Sequence, residues 1–196
     1  MKTCIYRFLL AAALAGGTAQ AAAAGVDYRI DPEHTEVVVT WSHLGFSTPS
    51  AHAGGIRGVI RYDAANLSAS SVTLDVPLAN FTSHIPKLDE MLRGPQFFEA
   101  AKYPAIGFQS TSVEDKGNGV LLIHGTLRIK DREKPIVLEA RQNKAGVHPM
   151  AQRPAIGFDA TAVVRRSDFG VEAYAPDVSD DVALRITVEA LADAAR

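Results

Sequence analysis

Apolar residues alternate with polar residues along most of this 196-residue chain, and this period of two limits the possible folds more than any other feature. The segments 37–41 and 72–78 both carry an apolar residue at every second position. Such alternation is typical of a strand that is buried on one face only. Similar segments recur almost to the end of the chain, so we predict about eight or nine strands.

Turn residues separate the predicted strands. The segment 116–119, Lys-Gly-Asn-Gly, predicts a tight hairpin because Gly and Asn tolerate the positive φ that such turns require. We also predict a polar connection at 131–135 and a loop at 144–154, which contains two prolines. Many short antiparallel strands are typical of β-sandwiches and of closed β-barrels, and the periodicity does not choose between the two.

One segment has a helical period instead. Over Pro86–Leu92 the apolar residues Leu88, Met91 and Leu92 fall on one helical face, and a Gly-Pro pair at 94–95 gives a typical stop. We therefore predict a short helix in the connection between two strands. Its apolar face could line the mouth of a barrel or plug the core equally well.

The first 21 residues have the form of a secretory signal peptide. Lys2 and Arg7 precede an apolar stretch at 8–15, and an Ala-x-Ala pattern ends at Ala21. The apolar stretch is far shorter than the roughly 20 residues that span a bilayer, and no later window is long enough either. We predict cleavage after Ala21, or within the alanines up to Ala24, and export to the periplasm.

Composition limits what the exported chain can do. Removal of Lys2 and Arg7 leaves 18 basic and 22 acidic residues, a mildly acidic balance that argues against nucleic-acid binding. The only cysteine, Cys4, leaves with the signal, so no disulfide and no cysteine metal site are expected. The residues 25–196 fit a single domain.

The sequence has no recognisable catalytic or metal-binding motif. It lacks the Gly-x-Ser-x-Gly, Ser-x-x-Lys, P-loop and dinucleotide glycine patterns. The six histidines have neither His-x-His nor His-Glu-x-x-His spacing. His34 and His43 are better explained as side chains that fix turns by hydrogen bonding to the backbone. We therefore predict no catalytic residue, no metal and no cofactor, and that the protein is not an enzyme.

Short motifs occur in a characteristic order from about Tyr28 to Ala190. They are Ile30-Asp31-Pro32-Glu33-His34-Thr35, His43-Leu44-Gly45-Phe46, Asp89-Glu90-Met91-Leu92-Arg93 with Phe97-Phe98, Tyr103-Pro104-Ala105-Ile106-Gly107-Phe108, Gly125-Thr126-Leu127, Lys134-Pro135-Ile136, Arg166-Ser167-Asp168-Phe169-Gly170 and Asp180-Asp181-Val182. In this order and spacing they resemble the YceI-like family of exported, polyisoprenoid-binding, lipocalin-like proteins.

The resemblance implies an all-β fold, an extended antiparallel eight-stranded lipocalin-like barrel with a short helix. It also implies a periplasmic carrier that holds a polyisoprenoid, a quinone or a fatty-acyl lipid and does no chemistry on it. An eight-stranded barrel can hold one slender ligand if its lining is small enough. Burial of each CH₂ contributes roughly 0.8 kcal/mol, which offsets the ordering of a long chain.

Two other functions stay open. An enzyme that acts on a lipid-like substrate would need an acid, base or nucleophile in the pocket, and His84, Asp89 and His124 are its candidates. A structural or interaction barrel would be packed solid and hold no ligand. The sequence also leaves a homodimer open.

Residues for the ligand can be assigned from the strand faces and the helix. The predicted lumen residues are Val39, Trp41, Leu74, Val76, Leu88, Leu92, Phe97, Phe98, Ile106, Phe108, Phe158 and Leu184. Arg165 and Arg166 are candidates for a diphosphate head group because guanidinium groups bind phosphates in bidentate fashion. Lys87 and Arg93, on the predicted helix, are weaker candidates. Alternatively, Arg166 could pair with Asp168 and fix the corner.

Overall fold

The strands of this protein form one closed antiparallel barrel, seen in a computed structural model that describes residues 25–193. The strand order is β1-β4-β5-β7-β8-β9-β10-β11, and β11 closes the barrel by pairing with β1 and continues into β2-β3-β6. The strands are β1 Val26–Ile30, β2 Glu36–Thr40, β3 Ser50–Ala53, β4 Arg57–Tyr62, β5 Ser71–Pro77, β6 Phe81–Thr82, β7 Ala105–Gly117, β8 Val120–Ile129, β9 Arg132–Val147, β10 Pro154–Arg165 and β11 Asp181–Ala192. This confirms the eight-stranded barrel.

Three of the eight barrel strands are broken into two segments. β1 and β2 follow one another along β11, with Ile30 opposite Ala190 and Val37 opposite Ile186. β3 and β4 form a second broken strand, interrupted at Gly54-Gly55, and β5 and β6 form a third. At Gly55 the backbone has φ +67°, and a Cβ atom there would overlap the Asn80 amide. Glycine is therefore required at this bend.

The breaks give the barrel two different ends. Around β1 and β4 the barrel is filled by aromatic and aliphatic side chains, among them Tyr28, Tyr62 and Phe158, whose rings pack edge to face. At the other end β6 forms no ladder with β7 within residues 25–193, and the helix α1 (Pro86–Arg93) lies against β6. The packed end gives the fold its core, and the open end leaves room for a cavity.

The helix and the hairpin turn confirm the sequence predictions. α1 begins at Pro86 as predicted and ends one residue later, at Arg93, before Gly94. Residues Gly117, Asn118 and Gly119 all have positive φ in the turn between β7 and β8. No helix within the described part of the chain is long and apolar enough to cross a membrane. The predicted signal peptide, at residues 1–21, lies outside the described residues.

Two predicted connections are shorter in the structure. The polar segment 131–135 is mostly strand, because β9 begins at Arg132 and the turn from β8 contains only Lys130 and Asp131. The predicted loop 144–154 is shorter than expected, since β9 continues to Val147 and β10 begins at Pro154. The residues of β9 in both segments are exposed, and a strand can form its ladder there without burying apolar side chains.

Candidate functional site

A cavity of about 750 Å³ lies in the open end of the barrel. Its wall is almost entirely apolar and includes residues of every strand except β1 and β4, together with α1 and the segment that follows it. The volume falls within the roughly 300–1,000 Å³ of typical ligand sites. The barrel is therefore not packed solid along its whole length.

The structure places all but one of the predicted lumen residues in this wall. They are Val39, Trp41, Leu74, Val76, Leu88, Leu92, Phe97, Phe98, Ile106, Phe108 and Leu184. Phe158 is the exception: it is buried in the packed end, with its ring 6.2 Å from that of Tyr62. That these residues bind a ligand stays a prediction.

Strand register explains why these side chains meet. Leu74 lies opposite Phe108, and Val76 lies opposite Ile106, across the β5–β7 ladder. Directly paired residues point to the same face of a sheet. If one residue of a pair faces the lumen, its cross-strand partner therefore does so too. The alternation in each strand thereby builds a continuous apolar wall.

Phe108 lies against the wall because β8 has a glycine beneath its ring. A Cβ atom at Gly125 would overlap the ring and would come within 2.7 Å of the Gln109 carbonyl oxygen. The absent side chain lets the ring lie close to the β8 backbone instead of filling the lumen. The Gly125-Thr126-Leu127 motif therefore contributes to the space inside the barrel.

The mouth of the cavity is marked by wall residues that are also exposed. Leu44, Ile85, Met91 and Tyr174 are in this group, and the Tyr174 ring stacks on the buried Phe97 at 6.2 Å between centroids. Polar wall residues are few: Thr35, His43, Ser47, Arg166 and Asp177. A ligand would meet apolar side chains along its length and polar groups mainly near its exposed end.

Arg166 fixes the corner after β10, but its partners differ from the predicted one. Its guanidinium donates to the carbonyl oxygens of Ser179 (2.8 Å), Val178 (2.8 Å), Val171 (2.7 Å) and Ala173 (2.9 Å). Burial in this loop lowers the pKa of the guanidinium. Four of its five N–H groups are thus engaged. The alternative of a pairing with Asp168 is wrong, because that carboxylate is exposed and carbonyl groups take its place.

The other three head-group candidates do not line the cavity. Arg165 is exposed and pairs with Asp180 at 3.3 Å. Lys87 is exposed on α1, and Arg93 donates to the Phe81 carbonyl oxygen at 3.3 Å. The four cations are therefore not brought together into a site for a diphosphate.

Asp89 anchors α1 to the barrel. Its buried carboxylate accepts hydrogen bonds from the Ser83 N–H and hydroxyl, both at 2.6 Å, and from the Thr82 hydroxyl at 2.7 Å. The bonds from Ser83 are the main cause that lowers the pKa of this carboxyl group. All the hydrogen-bond donors to this carboxylate lie on the strand and turn that hold the helix. The lowered pKa of Asp89 is therefore explained by a structural role.

The candidates for acid–base chemistry lie away from the cavity wall. Asp89 is engaged as described, and the exposed His84 packs its ring 5.1 Å from that of His52. His124 lies 3.9 Å from Glu114 on the β7–β8 hairpin. The wall of the cavity includes none of these three residues, as far as the structure describes the chain.

Replacement of Asp89 by asparagine should loosen the helix. The amide keeps the shape but loses the charge, and if its oxygen accepts both Ser83 donors, its NH₂ group replaces Oδ2 and cannot accept from the Thr82 hydroxyl. We therefore expect a loss of about 1–3 kcal/mol of unfolding free energy. Because folding lowers the pKa of Asp89, its contribution should be complete above the ordinary aspartate pKa of about 3.9 and fade as the pH falls below it.

Urea unfolding as a function of pH measures both effects. The exposed neighbour Glu90 provides the control, since Glu90→Gln should change stability by less than about 0.5 kcal/mol. Equal unfolding free energies for Asp89→Asn and Glu90→Gln at pH 7 would contradict the anchoring role.

Comparisons with known proteins agree with this architecture. The sequence profile described as the YceI-like domain matches residues 28–190. A UPF0312 protein of Vibrio cholerae is 34% identical over 167 residues, which cover 84% of this chain and 88% of that protein. A UPF0312 protein of Shewanella baltica is 33% identical over 191 residues, 96% of this chain and 98% of its own.

Solved structures share the fold. The crystal structure of a Campylobacter jejuni YceI protein has a TM-score of 0.71 and 28% identity, and the match covers 78% of this chain and 90% of that one. A domain from Saccharophagus degradans, described as a polyisoprenoid binding domain, has a TM-score of 0.65 at 13% identity and covers 85% of this chain and 99% of its own. At that identity the likeness concerns the fold alone.

Proposed function

This chain belongs to the YceI-like family, and on that premise we propose that it is a periplasmic carrier of a long-chain lipid. It holds the apolar chain of a polyisoprenoid, a quinone or a fatty-acyl lipid in the barrel and does no chemistry on it. The observation that carries the proposal is the apolar cavity of about 750 Å³, which opens at one end of the barrel. The periplasmic location rests on the signal-peptide pattern of residues 1–21.

The cavity volume suggests a chain length. If a carbon atom takes about the 30 Å³ of a water molecule in the liquid, the cavity holds on the order of 25 carbon atoms, or about five isoprene units. Longer chains extend through the mouth, where Leu44, Ile85, Met91 and Tyr174 provide apolar surface. Burial of the chain supplies the affinity without a dedicated polar contact.

The polar groups of the mouth favour a neutral head group. Arg166 is the only Lys or Arg side chain in the described cavity wall, and it is committed to four carbonyl oxygens. The Asp177 carboxylate lines the same cavity and would repel a diphosphate. A prenol or quinone suits such a mouth better than a prenyl diphosphate does.

The absence of chemistry is supported by the positions of the candidate groups. His84, Asp89 and His124 lie outside the described wall, and Asp89 is held by three hydrogen bonds from Ser83 and Thr82. A bound lipid would therefore meet no free acid or base among the three residues that the enzymatic alternative needs.

The first test is native mass spectrometry of the protein purified from a bacterial periplasm without detergent, followed by organic extraction. We expect one prenyl, quinone or fatty-acyl lipid per chain. An empty barrel that also fails to take up added prenols of about 20–25 carbons would overturn the carrier function. Recovery of the full-length chain, with its N-terminal segment, from the cytoplasmic fraction would overturn the location.

A further inference from the structure

A second group of polar side chains lies outside the cavity, where the strand formed by β1 and β2 is broken. Asp31, His34 and Glu189 each bring one potential metal-ligand atom to within 4.8 Å of the other two. Asp31 and His34 come from the connection between β1 and β2, and Glu189 comes from β11. The barrel closure thus brings together residues that are more than 150 positions apart in the sequence.

The backbone holds the two segments in fixed register. The Asp31 N–H donates to the Glu189 carbonyl oxygen at 2.8 Å, and the Glu189 N–H donates to the Thr35 hydroxyl at 3.2 Å. Thr35 is buried, so this link is protected from water. The backbone on both sides of the turn that carries His34 is therefore held against β11, which favours a preorganised site.

Asp31 has a hydrogen-bond donor from outside the group, and Glu189 has a histidine neighbour. The Glu33 N–H donates to Asp31 Oδ1 at 2.9 Å, and the other oxygen, Oδ2, lies 2.9 Å from His34 Nδ1. The His148 Nε2 atom lies 3.2 Å from Glu189 Oε1. Hydrogen-bonded carboxylates that keep one oxygen for the ion are the usual arrangement around protein-bound metals.

His148 lies beside Glu189 and is not itself a proposed ligand. Its Nδ1 atom accepts hydrogen bonds from the Met150 N–H at 3.2 Å and the Ala151 N–H at 3.0 Å. The accepting Nδ1 atom leaves the ring proton on Nε2, which lies 3.2 Å from Glu189 Oε1. This contact places a positive edge of the ring beside the Glu189 carboxylate.

We propose that Asp31, His34 and Glu189 bind a divalent transition-metal ion of the zinc type. Zinc binds imidazole nitrogen and carboxylate oxygen at about 2.0–2.2 Å, which puts neighbouring ligand atoms of a tetrahedral site about 3.3 Å apart. His34 Nδ1 and Asp31 Oδ2 lie 2.9 Å apart, so they have to separate slightly, and Glu189, within 4.8 Å of both, has to move closer. A water molecule completes the tetrahedron.

The ligand set also determines which ions bind. An imidazole nitrogen favours zinc, copper and nickel over magnesium and calcium, which prefer all-oxygen sites. Coordination through His34 Nδ1 replaces the proton that this atom shares with Asp31, and the ring keeps a proton on Nε2. The ion would tie the break between β1 and β2 to β11. It would therefore stabilise the barrel without contact with the lipid.

Isothermal titration calorimetry of the exported, tag-free protein, after dialysis against a chelator, tests the site. We expect one Zn²⁺ per chain and no heat from Mg²⁺ or Ca²⁺. His34→Ala and Glu189→Gln should each weaken zinc binding at least about tenfold, and His148→Ala should have a smaller effect, since His148 only lies beside Glu189. Zinc should also raise the melting temperature of the wild type and not that of His34→Ala.

Another histidine–glutamate pair, on the β7–β8 hairpin, provides a control. His124 lies 3.9 Å from Glu114, which is already bonded to Lys116 at 2.9 Å, so His124→Ala should leave zinc binding unchanged. Zinc binding that survives both His34→Ala and Glu189→Gln would overturn the proposal. A dissociation constant above about 100 µM for zinc and the wild-type protein would also overturn the proposal.

Discussion

Tryptophan in place of Val76 should fill the barrel and expel the lipid. Val76 lines the cavity beside its cross-strand partner Ile106, so the larger ring would occupy the space that the ligand needs. We expect at least a tenfold loss of retained lipid, measured by native mass spectrometry. Because the ring enters an existing void, the unfolding free energy should change by less than about 1.5 kcal/mol.

The same substitution on the outer face is the control. Val163 on β10 is exposed, so Val163→Trp should keep both lipid and stability.

Phe108→Asp tests the same wall by a change of polarity. It places a carboxylate in an apolar wall, so it should abolish lipid retention and strongly reduce the unfolding free energy. Full retention by Val76→Trp and by Phe108→Asp would refute the assignment of these residues to the lumen.

The faces of the strands could be predicted from the sequence, but the height of each residue along the barrel could not. Alternation places Phe158 inside, and the structure buries it. It lies in the packed end near Tyr62, however, because the stagger of the strands around the barrel decides which inward residues share a layer. The register of the strands is set when the whole sheet closes, and the sequence of a single strand does not contain that information.

The polar sites were harder to predict than the apolar wall. A search for metal motifs considers residues close together on one element, whereas Asp31, His34 and Glu189 meet only because β1 and β11 pair. Likewise, the partners of Arg166 are backbone carbonyl groups, which have no signature in the sequence. Sequence patterns reveal side chains only, so they suggest Asp168 as an alternative partner of Arg166 and give no sign of the carbonyl groups.

Loss of the Arg166 guanidinium should be the most damaging single change in the corner after β10. Arg166→Met keeps the length and apolar stem but leaves the carbonyl groups of Val171, Ala173, Val178 and Ser179 without their donor. Hydrogen bonds to a charged group contribute roughly 1.5–3 kcal/mol each when broken singly, and they are not additive. We expect urea unfolding to show a loss of about 3–5 kcal/mol.

The neighbouring arginine separates this structural role from a head-group role. Arg165 forms only an exposed ion pair with Asp180, so Arg165→Met should cost less than about 1 kcal/mol. Arg166→Lys should lie between the two, because an ammonium group has three donors and cannot reach four carbonyl groups in a fixed fork. If Arg166 instead serves a diphosphate, Arg166→Met would keep its stability and lose selectively the binding of prenyl diphosphates over prenols. The four carbonyl contacts lead us to expect the opposite, a large loss of stability with the preference for neutral prenols unchanged.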